Sequence, residues 1–214
     1  MKKKIAILGS TGSIGKSTLE VIKKDKKNFD VVYLSANNNY KKLIQQAKEF
    51  NVKNVLIKNE KFYEVVRNSL KKNKTKVFSG NTSINKIISG KLDYTMSAIV
   101  GLAGLQPTID AIKVSKTVAI ANKETIICGW KILSKFIKKH KTEIVPVDSE
   151  HFSIWSLIKN SKNKGTYYCK NLALKQLNNK TRYIAFQDSD DYSHIERIRK
   201  QVEILELNNG KMSI

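Results

Sequence analysis

The stretch IAILGSTGSIG, residues 5–15, decides the fold of this chain. Its apolar beginning, Ile5 to Leu8, predicts a short buried strand, and the segment from Ser13 to Lys24 predicts an amphipathic helix. Glycines between a strand and a helix let the backbone come close to a phosphate. The first turn of the helix also offers unpaired N–H groups at the positive end of its dipole. The stretch therefore predicts an α/β nucleotide-binding fold.

The glycine spacing in this loop departs from two common phosphate-binding motifs. A P-loop needs four residues between its glycines, whereas Gly9 and Gly15 enclose five. The dinucleotide fingerprint G-x-G-x-x-G fails at its first spacing, because Gly9 and Gly12 enclose two residues; residues 12–15 keep its second half. We favour a pyrophosphate loop of a variant dinucleotide fold, and a plain tight turn is the alternative.

Strand and helix patterns alternate from the first residues to about Val147. This alternation predicts an α/β, Rossmann-like, doubly wound parallel sheet, whose ligands bind beyond the carboxyl ends of the strands. The composition changes near Asn160, so we place a boundary there. Residues 1–158 are predicted to form the nucleotide-binding domain. Residues 159–214 are predicted to form a short α/β fragment of helix, strand and helix.

No carboxylate follows the second predicted strand, which ends near Ala36. NAD-binding folds place an acidic residue there for the ribose hydroxyls. Here three amides follow, Asn37, Asn38 and Asn39, and lysines come soon after. Amides and nearby lysines suit a 2′-phosphate, so the sequence favours NADP over NAD.

Two further loops at predicted strand ends carry polar side chains. The loop ANKE, residues 121–124, can present an amide, an ammonium and a carboxylate to a ligand; Asn122 as a helix N-cap is the alternative. The loop PVDSEH, residues 146–151, contains Asp148 and Glu150, whose spacing suits Mg²⁺ or Mn²⁺. There the alternative is a helix that Ser149 opens as N-cap.

The formal net charge of +22 raises the possibility of nucleic-acid binding. The lysines are scattered rather than clustered with arginine or aromatic residues, so we favour a compositional bias. The apolar run after Met1 is too short for a signal peptide or a membrane span. Two cysteines without metal-ligand spacing fit reduced thiols. We expect a cytoplasmic protein that binds neither nucleic acid nor membrane.

Four strings in this sequence together resemble the 1-deoxy-D-xylulose 5-phosphate reductoisomerase family of the non-mevalonate isoprenoid pathway. They are ILGSTGSIG at 7–15, AIVGLAGL at 98–105, ANKE at 121–124 and PVDSEH at 146–151. The resemblance covers about residues 1–160. It implies conversion of 1-deoxy-D-xylulose 5-phosphate, a small sugar phosphate, into 2-C-methyl-D-erythritol 4-phosphate. The implied chemistry is a rearrangement followed by hydride transfer from NADPH, with Mn²⁺ or Mg²⁺ on the substrate's oxygens.

The resemblance also implies roles for individual residues. The residues implied to hold the NADPH phosphates are Thr11, Gly12, Ser13 and Ile14. Asn37, Asn38 and Asn39 lie where the family contacts the adenosine side, although the family commonly has Gly and Lys at the first two positions. Asn122 and Glu124 would touch the cofactor. The implied catalytic residues are Lys123, Asp148 and Glu150. The implied substrate contacts are Lys123, Ser149 and Glu150, and the implied metal ligands are Asp148 and Glu150.

The sequence after Lys159 departs from this family. The family's Ser-Gly-Gly segment, phosphate-binding stretch, third metal carboxylate and C-terminal helical domain are not recognisable there. Whether the chain turns over substrate by itself is therefore left open, and a non-catalytic NADPH-binding module is the alternative. A homodimer is an open possibility as well.

Residues 161–210 resemble instead a family 2 glycosyltransferase of the GT-A fold. The string RYIAFQDSDD, residues 182–191, matches a strand end whose Asp-x-Asp motif binds the metal of a nucleotide-sugar in that family. The resemblance implies Asp188 and Asp190 as metal ligands. The alternative is an acidic turn that caps the helix predicted from Ile195 to Leu207.

Overall fold

The computed structural model describes residues 2–147 and 196–207. The chain separates into two compact units, Met1–Asp148 and Ser149–Ile214. The fold that follows is that of the first unit. The domain boundary at residues 158 and 159 stays a prediction.

The first unit is built on one sheet of seven parallel strands. The strands are β1 Lys3–Leu8, β2 Phe29–Ala36, β3 Asn54–Ile57, β4 Lys76–Ser79, β5 Leu92–Ser97, β6 Ser115–Ile120 and β7 Glu143–Pro146. Their order in the sheet is β4-β3-β2-β1-β5-β6-β7, and every neighbouring pair is parallel. The predicted α/β class with a doubly wound parallel sheet is confirmed.

Helices connect the strands. They are α1 Ser13–Lys24, α2 Tyr40–Glu49, α3 Tyr63–Leu70, α4 Ile84–Ile87, α5 Leu105–Val114 and α6 Lys123–His140. Short 3-10 turns lie at Glu60–Phe62, Lys71–Asn73 and Leu102–Gly104. The second unit contains helix α7, Arg197–Leu207, close to the bounds that the sequence predicted. None of the helices described combines the length and apolar character that crossing a membrane requires.

The central strands are buried on both faces, so their side chains divide between two cores. Along β1, Ile5 and Ile7 pack in a cluster with residues of α1, α2 and α3. The alternate residues, Ala6 and Leu8, pack in a second cluster with residues of α4, α5 and α6. A strand covered on both sides reads as a continuous apolar run, which is why the pattern at residues 5–8 predicted it correctly.

Strand β5 ends earlier than the apolar pattern of the sequence indicates. Apolar residues continue to Val100, but β5 ends at Ser97. Beyond it the carbonyl oxygens of Ile99 and Gly101 accept hydrogen bonds from the Asn122 side chain instead of from a neighbouring strand. Gly101, in the loop after β5, adopts a positive φ of 70°, a conformation that favours glycine.

The order in which successive strands are added to the sheet switches sides between β1 and β5. Strands β1 to β4 proceed outward on one side and β5 to β7 on the other. Leu8 pairs with Ser97, so the carboxyl ends of β1 and β5 lie side by side. In open parallel sheets, ligands bind in the crevice that such a switch opens. The loops after β1 and β5 therefore frame the candidate site.

Candidate cofactor site

The loop between β1 and α1 runs so close to its neighbours that two of its positions have room only for glycine. Gly9 has a φ of +78°, and a Cβ there would lie 2.7 Å from the carbonyl oxygen of Ala98, in the loop after β5. A Cβ at Gly15 would lie 2.5 Å from the Gly9 oxygen and 2.6 Å from the Ser10 Cα. The first glycine thus brings the two loops together, and the second lets α1 pack against its own entry loop.

Gly12 differs from these two glycines. Its φ is −74°, a value that any residue can adopt, and a Cβ there would meet only the Gly9 oxygen, at 3.4 Å. The protein itself therefore does not require glycine at position 12. The residue is exposed at the junction of loop and helix, where a missing side chain leaves room for a molecule outside the protein.

Among the described residues, no side-chain acceptor caps the first turn of α1. The helix begins after Gly12 with no side-chain cap, and its first turn contains no acidic residue. The first backbone N–H groups of a helix have no intrahelical partner, and they lie at the positive end of the helix dipole. The structure brings the four predicted phosphate contacts together at this turn. They are Thr11, Gly12, Ser13 and Ile14.

Buried hydrogen bonds of Ser10 with Ser35 and Gln46, here called the polar latch, hold the glycine loop against the sheet. The Ser10 backbone N–H donates to the Ser35 carbonyl of β2 at 2.8 Å. The Ser10 hydroxyl donates to Gln46 Oε1 at 2.8 Å, and Gln46 Nε2 donates back to the Ser10 carbonyl at 2.9 Å. The Gly9 N–H donates to Ser35 Oγ at 3.2 Å. These bonds fix the loop against β2 and α2.

Ser35 and Gln46 were not predicted as site residues from the sequence. The sequence did contain a sign of their role. Ser35 is a polar residue within an apolar strand, and Gln46 is a polar residue on the apolar helix face that contains Leu43 and Ala47. Both polar side chains are buried. Polar groups that are buried this deeply are almost always hydrogen-bonded. On the same strand, burial raises the pKa of the Tyr33 hydroxyl well above its ordinary value.

We expect Gln46→Ala to lower the free energy of unfolding by about 2–3 kcal/mol, because the substitution leaves the buried Ser10 hydroxyl and carbonyl without partners. Urea unfolding followed by circular dichroism measures this loss. Gln45→Ala is the matched control, since Gln45 is exposed on the same helix and its side chain bonds only to Lys42. Equal losses in the two variants would contradict a role for the latch.

The segment after β2 joins β3 through backbone and side-chain bonds. The Asn37 carbonyl accepts from the Asn59 N–H at 3.1 Å, and Asn38 Oδ1 accepts from Asn59 Nδ2 at 2.9 Å. Asn39 Oδ1 accepts from the Lys42 N–H at 3.2 Å and so caps α2. No acidic residue occurs in this segment, as the sequence analysis noted, and Asn37 and Asn38 are exposed.

Asn122, after β6, links the loop after β5 to the first turn of α6. Its Nδ2 group donates to the carbonyl oxygens of Ile99 at 2.5 Å and Gly101 at 2.6 Å. Its Oδ1 accepts from the Thr125 N–H at 3.1 Å, so it is the N-cap of α6. The structure therefore shows the N-cap that the sequence analysis held as the alternative. Both amide protons are engaged, and direct contact of Asn122 with a cofactor stays a prediction.

Three of the four strings singled out in the sequence meet at one edge of the sheet. The loop after β1 touches that after β5 through Gly9 and Ala98, and the latter is held by Asn122. Lys123 and Glu124 follow at the exposed first turn of α6. The glycine loop, the loop after β5 and the first turn of α6 therefore lie at the same edge of the sheet.

The predicted metal ligands are not part of the described residues. Asp148, Ser149 and Glu150 follow β7 directly in sequence but lie outside them, as do Asp188 and Asp190. Within residues 2–147 and 196–207, no group of three or more histidine, cysteine, aspartate or glutamate side chains is arranged to hold a metal ion. The metal-binding roles of all four carboxylates stay predictions.

Comparison with known proteins identifies the relatives of this chain. The family model of 1-deoxy-D-xylulose 5-phosphate reductoisomerase matches residues 5–129, more than half of the chain. The reductoisomerase of Pelagibacter ubique is 57% identical over 162 residues, which cover 75% of this chain and 42% of that protein.

Two solved structures are similar as well. The reductoisomerase from Zymomonas mobilis in complex with NADPH superimposes with a TM-score of 0.69 at 35% identity, covering 73% of this chain and 42% of that one. A reductoisomerase in complex with NADPH, fosmidomycin and magnesium gives 0.68 at 32% identity, covering 72% and 38%. The chain spans about two fifths of the length of the curated relatives it matches. None of these matches is to a glycosyltransferase, so that resemblance of residues 161–210 has no support here.

Proposed function

The chain belongs to the 1-deoxy-D-xylulose 5-phosphate reductoisomerase family, and we propose that it is the NADPH-binding part of such an enzyme. In this proposal the reaction is the rearrangement and NADPH-dependent reduction of 1-deoxy-D-xylulose 5-phosphate to 2-C-methyl-D-erythritol 4-phosphate. The observation that carries the proposal is the first turn of α1, which contains no acidic residue and no side-chain cap. It lies beside the glycine loop, where the strand order of the sheet switches sides between β1 and β5.

The cofactor's pyrophosphate fits this turn because its charge meets backbone donors and the positive end of a helix. In the proposal its contacts are Thr11, Gly12, Ser13 and Ile14. The adenosine lies toward Asn37, Asn38 and Asn39, and Glu124 contacts the cofactor from α6. Asn122 acts by holding residues 99–101 in place, since its amide protons are already engaged. NADPH supplies the hydride, and the protein supplies its position.

Asp148 and Glu150 would hold Mg²⁺ or Mn²⁺, because carboxylate oxygens are the ligands that these hard cations prefer. When bound there, the metal would polarise the substrate's carbonyl group. Lys123 and Ser149 would contact the sugar phosphate. A homodimer and a cytoplasmic location remain predictions for the whole enzyme.

We expect Ser13→Asp to weaken NADPH binding at least about tenfold, because a carboxylate at the first turn of α1 repels the pyrophosphate. The same substitution should leave the melting temperature unchanged or raise it, since an acidic residue suits the start of a helix. NADPH fluorescence titration and thermal unfolding measure the two effects. Ser17→Asp, one turn further along the exposed face of α1, is the matched control. Equal binding by the wild type and Ser13→Asp would contradict the proposed pyrophosphate contact.

The catalytic half of the proposal has its own test. Oxidation of NADPH is followed at 340 nm with 1-deoxy-D-xylulose 5-phosphate and Mg²⁺ present. Turnover that Asp148→Ala abolishes, with NADPH binding retained, would support the reductoisomerase reaction and the predicted metal ligand. NADPH binding without turnover would support the non-catalytic module instead.

A further inference from the structure

We propose that Lys58, the first residue after β3, supplies the positive charge that makes this site select a 2′-phosphorylated dinucleotide over its unphosphorylated counterpart. The proposal rests on the proposed NADPH binding and adds a specificity-determining residue to it. Lys58 is exposed at the carboxyl edge of the sheet, next to the segment that follows β2.

The segment after β2 lacks the charge that this selection needs. Asn37, Asn38 and Asn39 are neutral, and an amide can bond to a ribose hydroxyl as readily as to a phosphate oxygen. A phosphate monoester carries between one and two negative charges at neutral pH, and a cationic donor binds it about twice as strongly as a neutral one does. Discrimination between the two dinucleotides therefore requires a cation from another element.

Strand pairing places Lys58 beside this segment. Ala36 pairs with Ile57 at the ends of β2 and β3. The pairing continues past both strands, since the Lys58 N–H donates to the Ala36 carbonyl at 2.8 Å and the Asn59 N–H to the Asn37 carbonyl at 3.1 Å. The Asn59–Asn38 side-chain bond closes the same junction at 2.9 Å. The backbone of Lys58 is thus fixed at the place where the adenosine ribose of the bound cofactor would lie.

The Lys58 ammonium is available for such a contact. Its Nζ donates to Asn81 Oδ1, a neutral acceptor that a phosphate can replace, and it forms no ion pair with any residue the structure describes. The nearby carboxylate of Glu60 lies against Gly80, on the loop after β4. Lys42, one of the two lysines at the start of α2, extends along its own helix and donates to Gln45 at 3.0 Å.

The test compares NADPH with NADH on the full chain. We expect Lys58→Gln to raise the Kd for NADPH about tenfold, the loss typical of one charge-assisted hydrogen bond, and to leave the Kd for NADH unchanged. Lys58→Arg should keep most of the preference, because it keeps the charge. Lys61→Gln is the matched control, since Lys61 is an exposed lysine of the same segment. Melting temperatures verify that each variant is folded.

The possible results distinguish the role proposed for Lys58 from the proposed NADPH binding on which it rests. A wild-type chain that binds NADPH tightly, with the preference over NADH lost in Lys58→Gln and kept in Lys61→Gln, would support the role of Lys58. An unchanged preference in Lys58→Gln, or a wild type that binds both dinucleotides equally, would overturn it and leave cofactor binding intact. A wild type that binds neither would overturn both proposals.

Discussion

Replacing Gly9 with alanine is expected to lower the free energy of unfolding by about 3 kcal/mol. Part of this loss comes from the left-handed φ of +78°, which costs an L-residue about 1–2 kcal/mol. The rest comes from the new Cβ, which would lie 2.7 Å from the Ala98 oxygen, a backbone atom that cannot turn aside as a side chain can. Urea denaturation followed by circular dichroism gives the change.

Gly90→Ala separates the two contributions. Gly90 also has a positive φ, of +86°, but a Cβ there meets nothing within 4 Å. We expect this control to lose only the conformational part, about 1 kcal/mol. NADPH binding should weaken in Gly9→Ala and not in Gly90→Ala, because only the first displaces the loop that leads to α1. Equal losses of stability would mean that the approach of the loops after β1 and β5 contributes little.

Asn122→Ala is expected to cost about 2 kcal/mol of stability. The side chain is 5% exposed and makes three hydrogen bonds, so its removal strips α6 of its cap and leaves the Ile99 carbonyl oxygen without its Asn122 donor. The Gly101 oxygen still accepts from the Gly104 N–H at 3.1 Å. Loss of an N-cap costs about 1 kcal/mol, and a buried unsatisfied carbonyl costs about 1 kcal/mol or more. The same denaturation experiment measures the sum.

Asn122→Asp distinguishes the cap from the two donors. The carboxylate still accepts from the Thr125 N–H, but it faces the Ile99 and Gly101 oxygens with no proton to give. We therefore expect Asn122→Asp to recover little of the stability that Asn122→Ala loses. If aspartate restored the wild-type free energy of unfolding, capping alone would explain the contribution of Asn122 to stability. The hydrogen bonds to residues 99–101 would then contribute little.

The fold was predictable because its signals are local. Residues 5–8 form an uninterrupted apolar run of the kind that a strand buried on both faces requires, and α1 and α2 show apolar residues at helical spacing. The end of β5 was not predictable in this way. Ile99 and Val100 continue the apolar pattern, but the position of the chain there depends on Asn122, which is 23 residues away in the sequence.

The candidate site likewise contains a part that is local in sequence, which was predictable, and a part that depends on distant residues, which was not. The glycine loop identifies itself, since its residues are adjacent in sequence and their chemistry is specific to phosphates. The supports of the loop are different, because Ser10 and Gln46 are 36 residues apart and meet only in the folded chain. The sequence could supply Gln46 as a polar member of an apolar helix face, but not its pairing with Ser10. The roles proposed for Asp148 and Glu150 still rest on resemblance.

The strand order also bears on how the chain acquires this crevice during folding. Within β1 to β4, and again within β5 to β7, each strand lies beside its predecessor in the chain, so these pairings close short loops. The β1–β5 pairing instead joins Leu8 to Ser97 and closes a loop that contains three other strands. The entropy cost of closure grows with loop length, and non-local contacts slow folding. A chain leaving the ribosome can therefore assemble the sheet from β1 to β4 early, but the approach of Gly9 to Ala98 must wait until β5 has been synthesised.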